Sequence, residues 1–132
     1  MKVKLNGNDF YEVSTQFGIT DEWHNTVHNG IDLVMNSGTQ LFSPVNGTIS
    51  NIVDYGSENI GKGVFIKTDS GESVIMGHLS EVKAHIGDRV SEGDIVALSG
   101  NTGHSTGSHL HLGYKGSDGT FLHKERLVKQ NT

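Results

Sequence analysis

Cysteine is missing altogether, which rules out disulfide frameworks, thiolate metal sites and cysteine nucleophiles. The same absence leaves the redox compartment open. Proline occurs once, at Pro44. Long hydrophobic runs are also lacking: no stretch approaches the roughly 20 apolar residues that cross a bilayer. The opening MKVKLNGNDFYEV has no apolar centre of the kind a secretion signal needs. Basic residues are outnumbered, 10 Lys and Arg against 15 Asp and Glu. The net charge of −5 and the absence of a Lys/Arg cluster disfavour a surface that follows a phosphate backbone. Neither membrane insertion nor nucleic-acid binding is expected.

Glycine and histidine are plentiful, 18 and 8 in 132 residues. A chain of this length fits one domain over residues 1–132 with a real core. Many glycines between short apolar runs predict an all-β chain, a single antiparallel unit of short strands and tight turns. STQFGITDEWHNTVHNG reads as turns and loops leading to a strand at IDLVM. Further strands are expected around Leu41 and Phe42, then through Val45, Ile49 and Val53, with Pro44 at an edge or strand start. VFIKTDSGESVIM reads as a hairpin turning at DSG, with His78 just past its second strand. IVAL, apolar on both faces, is expected to be central in the sheet. The tail FLHKERLVKQNT could hold a helical turn or a last strand.

The run HLHLGY is the most pointed feature. On a strand, side chains two apart share a face, so His109 and His111 stand together while Leu110 and Leu112 face the other way. With no cysteine, any metal site must come from histidines and carboxylates. A catalytic zinc commonly takes three such ligands and keeps a fourth position for water. HNGID offers His28 and Asp32 at i and i+4, and GHLS offers His78 after the hairpin.

VSTQFG, HNGIDL, SPVNGTI, GVFIKTDSG, GHLS and GDRVSEGDIVALSGNTGHSTGSHLHL resemble, in order and spacing, the lysostaphin/LytM-type zinc endopeptidases that cut peptidoglycan peptides. The likeness runs from about Val13 to Leu112. It implies a β-sheet flooring a groove walled by loops. It also implies a Zn2+ ion held by His28, Asp32 and His111, with His109 and His78 beside the metal-activated water. Zinc brings the pKa of its water to about 7 and polarises a carbonyl. An imidazole can take a proton from that water and give one to the leaving amine. The resemblance assigns that work to His109, with His78 sharing it or stabilising the oxyanion. One carboxylate among the ligands leaves the metal with net positive charge.

Some positions depart from the family pattern. Met76 stands where an aromatic is common, Ser43 where alanine is common, and HLGY where HFE is common, which leaves substrate contacts near Met76 and Gly113 open. His24 with His28 could form a helical ligand pair, His104 could touch substrate, and His85 and His123 read as ordinary residues. Trp23 and Tyr55 could line a groove or cap the core. TGHSTGS lacks the Lys of a phosphate-binding loop and precedes a strand, so it reads as a tight turn.

Two rival functions remain at this point. SPVNGTISNIV and GDRVSEGDIVAL look like the halves of a biotinyl or lipoyl carrier, a non-catalytic β-scaffold, although TDSGES has no lysine at its tip. Two histidines and a carboxylate could also hold the iron of an oxygenase. The expected partners are peptidoglycan peptides. The expected location is the cell wall or a virion, as with a phage lysin or part of a larger assembly.

Overall fold

The computed structural model describes residues 2–5, 10–15, 30–103, 107–116 and 128–131, and side-chain surroundings within 31–103 and 107–116. These form eleven strands and no helix: β1 (Lys2–Leu5), β2 (Phe10–Thr15), β3 (Gly30–Val34), β4 (Gln40–Phe42), β5 (Gly47–Asp54), β6 (Lys62–Thr68), β7 (Ser73–Val82), β8 (Arg89–Val90), β9 (Ile95–Ser99), β10 (His109–Lys115) and β11 (Val128–Asn131). They join in one sheet ordered β11-β1-β2-β3-β10-β7-β6-β5-β8, with β9 branching from β7 and carrying β4. Every pairing is antiparallel. The chain is all-β, as the sequence implies.

The hairpin lies where expected, β6 and β7 flanking the DSG turn. Its tip is fixed by a bidentate pair: the Arg89 guanidinium on β8 donates to both carboxylate oxygens of Asp69. β5 differs from the expected phase. Its register with β6 shifts between Ile49 and Asn51, so Ser50 is an extra residue and the strand changes faces there. Ile52, not Val53, therefore joins Ile49 against the core. β1 and β2, the latter including Ser14 and Thr15, are strands where the sequence alone indicates loops or no regular element. The tail resolves as a strand, β11, paired with β1.

β7 positions the site. Through Gly77 it lies between β6 and β10, whereas from Leu79 onward β9 takes the place of β10, with β6 still paired at Leu79. The strand changes neighbours at His78, whose φ of 61° is left-handed backbone in a non-glycine residue. The expectation that His78 lies past the strand is thus corrected: it is the bend inside β7. Because β9 is paired on both sides, Val96 and Ala97 are buried, but Ile95 is 44% exposed, so IVAL is only partly enclosed.

The core gathers Leu33 of β3, Val64 and Ile66 of β6, Val74 and Met76 of β7, Val96 of β9 and Leu110 and Leu112 of β10. Leu110 is completely buried and Leu112 nearly so, whereas His109 and His111 are half-buried on the opposite face. The alternation expected of HLHL is observed. Burying a leucine side chain contributes about 1.5–3 kcal/mol, so this strand is held in phase and its histidines are committed to one face.

Candidate active site

Antiparallel register brings the chemistry together. His111 of β10 lies directly opposite Asp32 of β3 and, on its other side, opposite Gly77 of β7. Cross-strand partners have Cβ atoms about 4.5–5.5 Å apart, within reach of side-chain contact. His111 Nδ1 approaches Asp32 Oδ1 to 3.1 Å, and His109 Nε2 lies 3.7 Å from the same oxygen. Asp32 is only 6% exposed. A carboxylate so far removed from water needs positive charge or hydrogen-bond donors around it.

His78 completes the described cluster. Its ring centroid is 4.5 Å from that of His109 and 6.2 Å from that of His111. Its Nδ1–H donates to the Thr102 carbonyl at 2.6 Å, and its backbone N–H donates to the Ile60 carbonyl at 2.6 Å. Burial pushes its pKa down to about 4; the neighbouring His109 and His111 act in the same direction, while the Thr102 carbonyl and Asp32 oppose it. His109 is held similarly, its Nδ1–H donating to the Gly107 carbonyl at 2.7 Å. A carbonyl oxygen only accepts, so both rings carry the Nδ1 proton, and the neutral rings carry a lone pair on Nε2.

Of the residues singled out from the sequence, Asp32, His78, His109 and His111 converge. His28 lies outside the described residues, as do His24, His104, His123 and Trp23. Among the described residues no three donor side chains suffice to hold an ion. The Asp32–His111 pair nevertheless suits one. Two ligands of a tetrahedral zinc, with bonds of about 2.0–2.1 Å, sit about 3.3 Å apart, close to the observed 3.1 Å.

The departures from the family pattern fall away from the site. Met76 is fully buried in the core and Gly113 is buried on β10, so neither offers a surface to substrate. Ser43 is also fully buried, its hydroxyl donating to the Val45 carbonyl. Tyr55 is 50% exposed on the β5–β6 loop and does not cap the core. His85 is a surface residue whose backbone N–H donates to Asp88.

Sequence reasoning missed Thr102, Gly107 and Ile60. Each acts through a backbone carbonyl, which leaves no mark on residue type. The only available signal was Thr102 in the GNTG loop, where a hydroxyl sits among glycines.

Three histidines and a buried carboxylate on adjoining strands of this sheet form a donor set of the kind that holds a divalent metal ion. The chain matches Peptidase family M23 over residues 26–122, and it belongs to that family. It is 38% identical over 88 residues to the glycyl-glycine endopeptidase ALE-1 of Staphylococcus capitis, covering 64% of this chain and 24% of ALE-1. It is 34% identical over 84 residues to the peptidoglycan DD-endopeptidase ShyA of Vibrio cholerae, covering 64% of this chain and 19% of ShyA. The fold matches the catalytic domain of the antimicrobial peptidase lysostaphin from Staphylococcus simulans with a TM-score of 0.75 and 28% identity, over 86% of this chain and 88% of that one. The chain spans between 18% and 31% of the length of the first two curated relatives it matches.

Proposed function

We propose that this chain is a zinc endopeptidase that hydrolyses peptide bonds in peptidoglycan stem or cross-bridge peptides. The observation that carries the reading is the 3.1 Å approach of His111 Nδ1 to the buried carboxylate of Asp32, with two further imidazoles beside it. Family membership and relatives that act on glycyl-glycine and peptidoglycan bonds support it.

Asp32 and His111 would hold the ion, with His28 as third ligand. When bound, zinc supplies Lewis acidity toward a carbonyl and acidifies water at its open position. The remaining chemistry falls to the chain. The Gly107 carbonyl orients His109 so that Nε2 is the basic nitrogen, and this atom takes a proton from the attacking water and returns one to the leaving amine. His78, neutral near pH 7 because of its burial, presents the same tautomer and accepts rather than donates in the resting site. The whole of residues 1–132 acts as one catalytic domain, working at the cell wall, free or within a larger wall-degrading or virion assembly.

A carrier-like scaffold leaves this cluster without a role. The hairpin that would present a modified lysine instead ends in Asp69, tied to Arg89. An iron oxygenase needs a facial triad but gives His78 and His109 no task.

The test is digestion of purified peptidoglycan from walls of contrasting bridge type, with fragments identified by mass spectrometry. New amino termini within stems or bridges, abolished by a chelator and restored by zinc, are expected. Intact peptides in every wall, or cleavage indifferent to chelator, would overturn the reading.

A further inference from the structure

Among the described residues of the loop that precedes β10, Thr102 bonds through both its hydroxyl and its carbonyl. Its hydroxyl donates to the Leu79 carbonyl at 2.6 Å and accepts from the Lys62 backbone N–H at 3.1 Å. Its own carbonyl accepts the Nδ1–H of His78 at 2.6 Å. The side chain therefore ties the loop to β6 and to β7 on the far side of the bend, and the main chain meets the ring at the bend itself. The surroundings leave the loop no slack. Gly61 and Gly103 lie backbone against backbone, and a Cβ on either would overlap the other segment. The Gly103 N–H is bonded to the Gly56 carbonyl at 3.0 Å.

We propose that Thr102 is a positioning residue that holds neutral His78 in its Nδ1–H tautomer, making Nε2 a proton acceptor and not a hydrogen-bond donor to the scissile carbonyl. Two arrangements were open to His78 from its place beside the cluster, proton carrier or oxyanion donor, and they require opposite tautomers of the neutral ring. The Thr102 carbonyl selects the first. In the step so defined, the water oxygen bonds to the scissile carbonyl carbon as an O–H bond of the water breaks, the proton is taken up at Nε2 of His109 or, sharing that work, of His78, and it leaves on the amine nitrogen as the C–N bond breaks.

This inference rests on the proposed peptidase reading only for its effect on turnover. The tautomer is tested without it. Long-range proton–nitrogen NMR of the His78 ring, in metal-free and zinc-loaded wild-type protein, should show a protonated Nδ1 and an unprotonated Nε2 near neutral pH. The Nε2–H tautomer in wild type would overturn the proposal even if no variant folds. Thr102→Val removes both hydroxyl bonds at nearly constant shape, and Thr102→Ser keeps them. The Val variant should mix the tautomers and lower kcat by about 10-fold or more with KM little changed, while the Ser variant stays within about 2-fold of wild type. Equal losses in both variants, or a Val variant with unaltered tautomer and kcat, would contradict the assignment while leaving the peptidase reading intact. Absence of any wild-type turnover would instead count against the peptidase reading, with the NMR result still deciding the tautomer.

Discussion

His109 and His111 differ by two positions in sequence and by one decisive contact in space. His109 Nδ1 is occupied by the Gly107 carbonyl, whereas His111 turns Nδ1 toward Asp32. The first arrangement suits a base and the second a ligand, so replacing them should have different effects. His109→Ala is expected to retain zinc and to lose about 10²–10⁴ in turnover, the usual worth of a positioned acid–base group. Elemental analysis alongside peptidoglycan hydrolysis checks this, and a variant as active as wild type would refute the role.

His78 gives a second prediction at this scale, made for chelator-treated protein. Its pKa in the fold is about 4, below the ordinary 6.5, because burial disfavours the imidazolium. Between those values the unfolded chain binds a proton that the folded chain refuses, so stability must fall as pH falls from 6.5 toward 4 and is fully present above 6.5. His78→Asn lacks this titration, and asparagine tolerates the left-handed backbone at this position. Denaturant unfolding from pH 4.5 to 7 should show a shallower pH dependence for the variant than for wild type. Parallel curves would contradict the account.

At the scale of elements, much was legible. HLHL announced both its strand and the face its histidines take, because the two leucines must be buried and period-two alternation does the rest. The β6–β7 hairpin was equally plain from DSG between β-branched runs. The bend in β7 was not. GHLS reads as the end of a strand, and only pairing with β9, far along the chain, carries the strand through a left-handed His78. The bulge at Ser50 was hidden for a similar reason, since a register shift is a property of two strands and not of one.

Packing beneath that bend can be tested with glycines. A Cβ at Gly77 would lie 2.7 Å from Ile60 Cβ, and the Ile60 carbonyl supports the His78 N–H. Gly77→Ala should push this loop away, cost about 1–3 kcal/mol as overpacking does, and slow turnover. Gly38→Ala meets nothing within 4 Å but has a φ of 91°, so it should cost backbone strain alone and leave kcat unchanged. Chemical denaturation and steady-state kinetics on the pair separate the two effects. Equal kinetics in both variants would show that the Ile60 loop does not support the site.

For the whole molecule, the sheet brings together residues widely separated in the sequence. β3, β10 and β7 are adjacent strands, so Asp32, His111 and His78 meet although 79 positions separate the first two. Spacing alone could not show this convergence. His28 and Asp32 four apart, or two histidines around a leucine, are common patterns singly, and it was their order along the chain that pointed to the family. The carbonyl anchors at Thr102 and Gly107 had no such trace. They depend on how loops close over the sheet, which residue identity does not encode.

The proposed peptidase activity requires Asp32 and His111 to share a metal ion. Calorimetric titration of zinc into metal-free protein tests it most directly, comparing wild type with Asp32→Asn, His111→Ala and His109→Ala. Wild type and His109→Ala should take up about one zinc per chain with similar affinity. Both ligand variants should bind it more than about 100-fold more weakly, since even changes one shell further out cost 10–100-fold. Zinc binding of unchanged affinity in Asp32→Asn and His111→Ala would contradict the account.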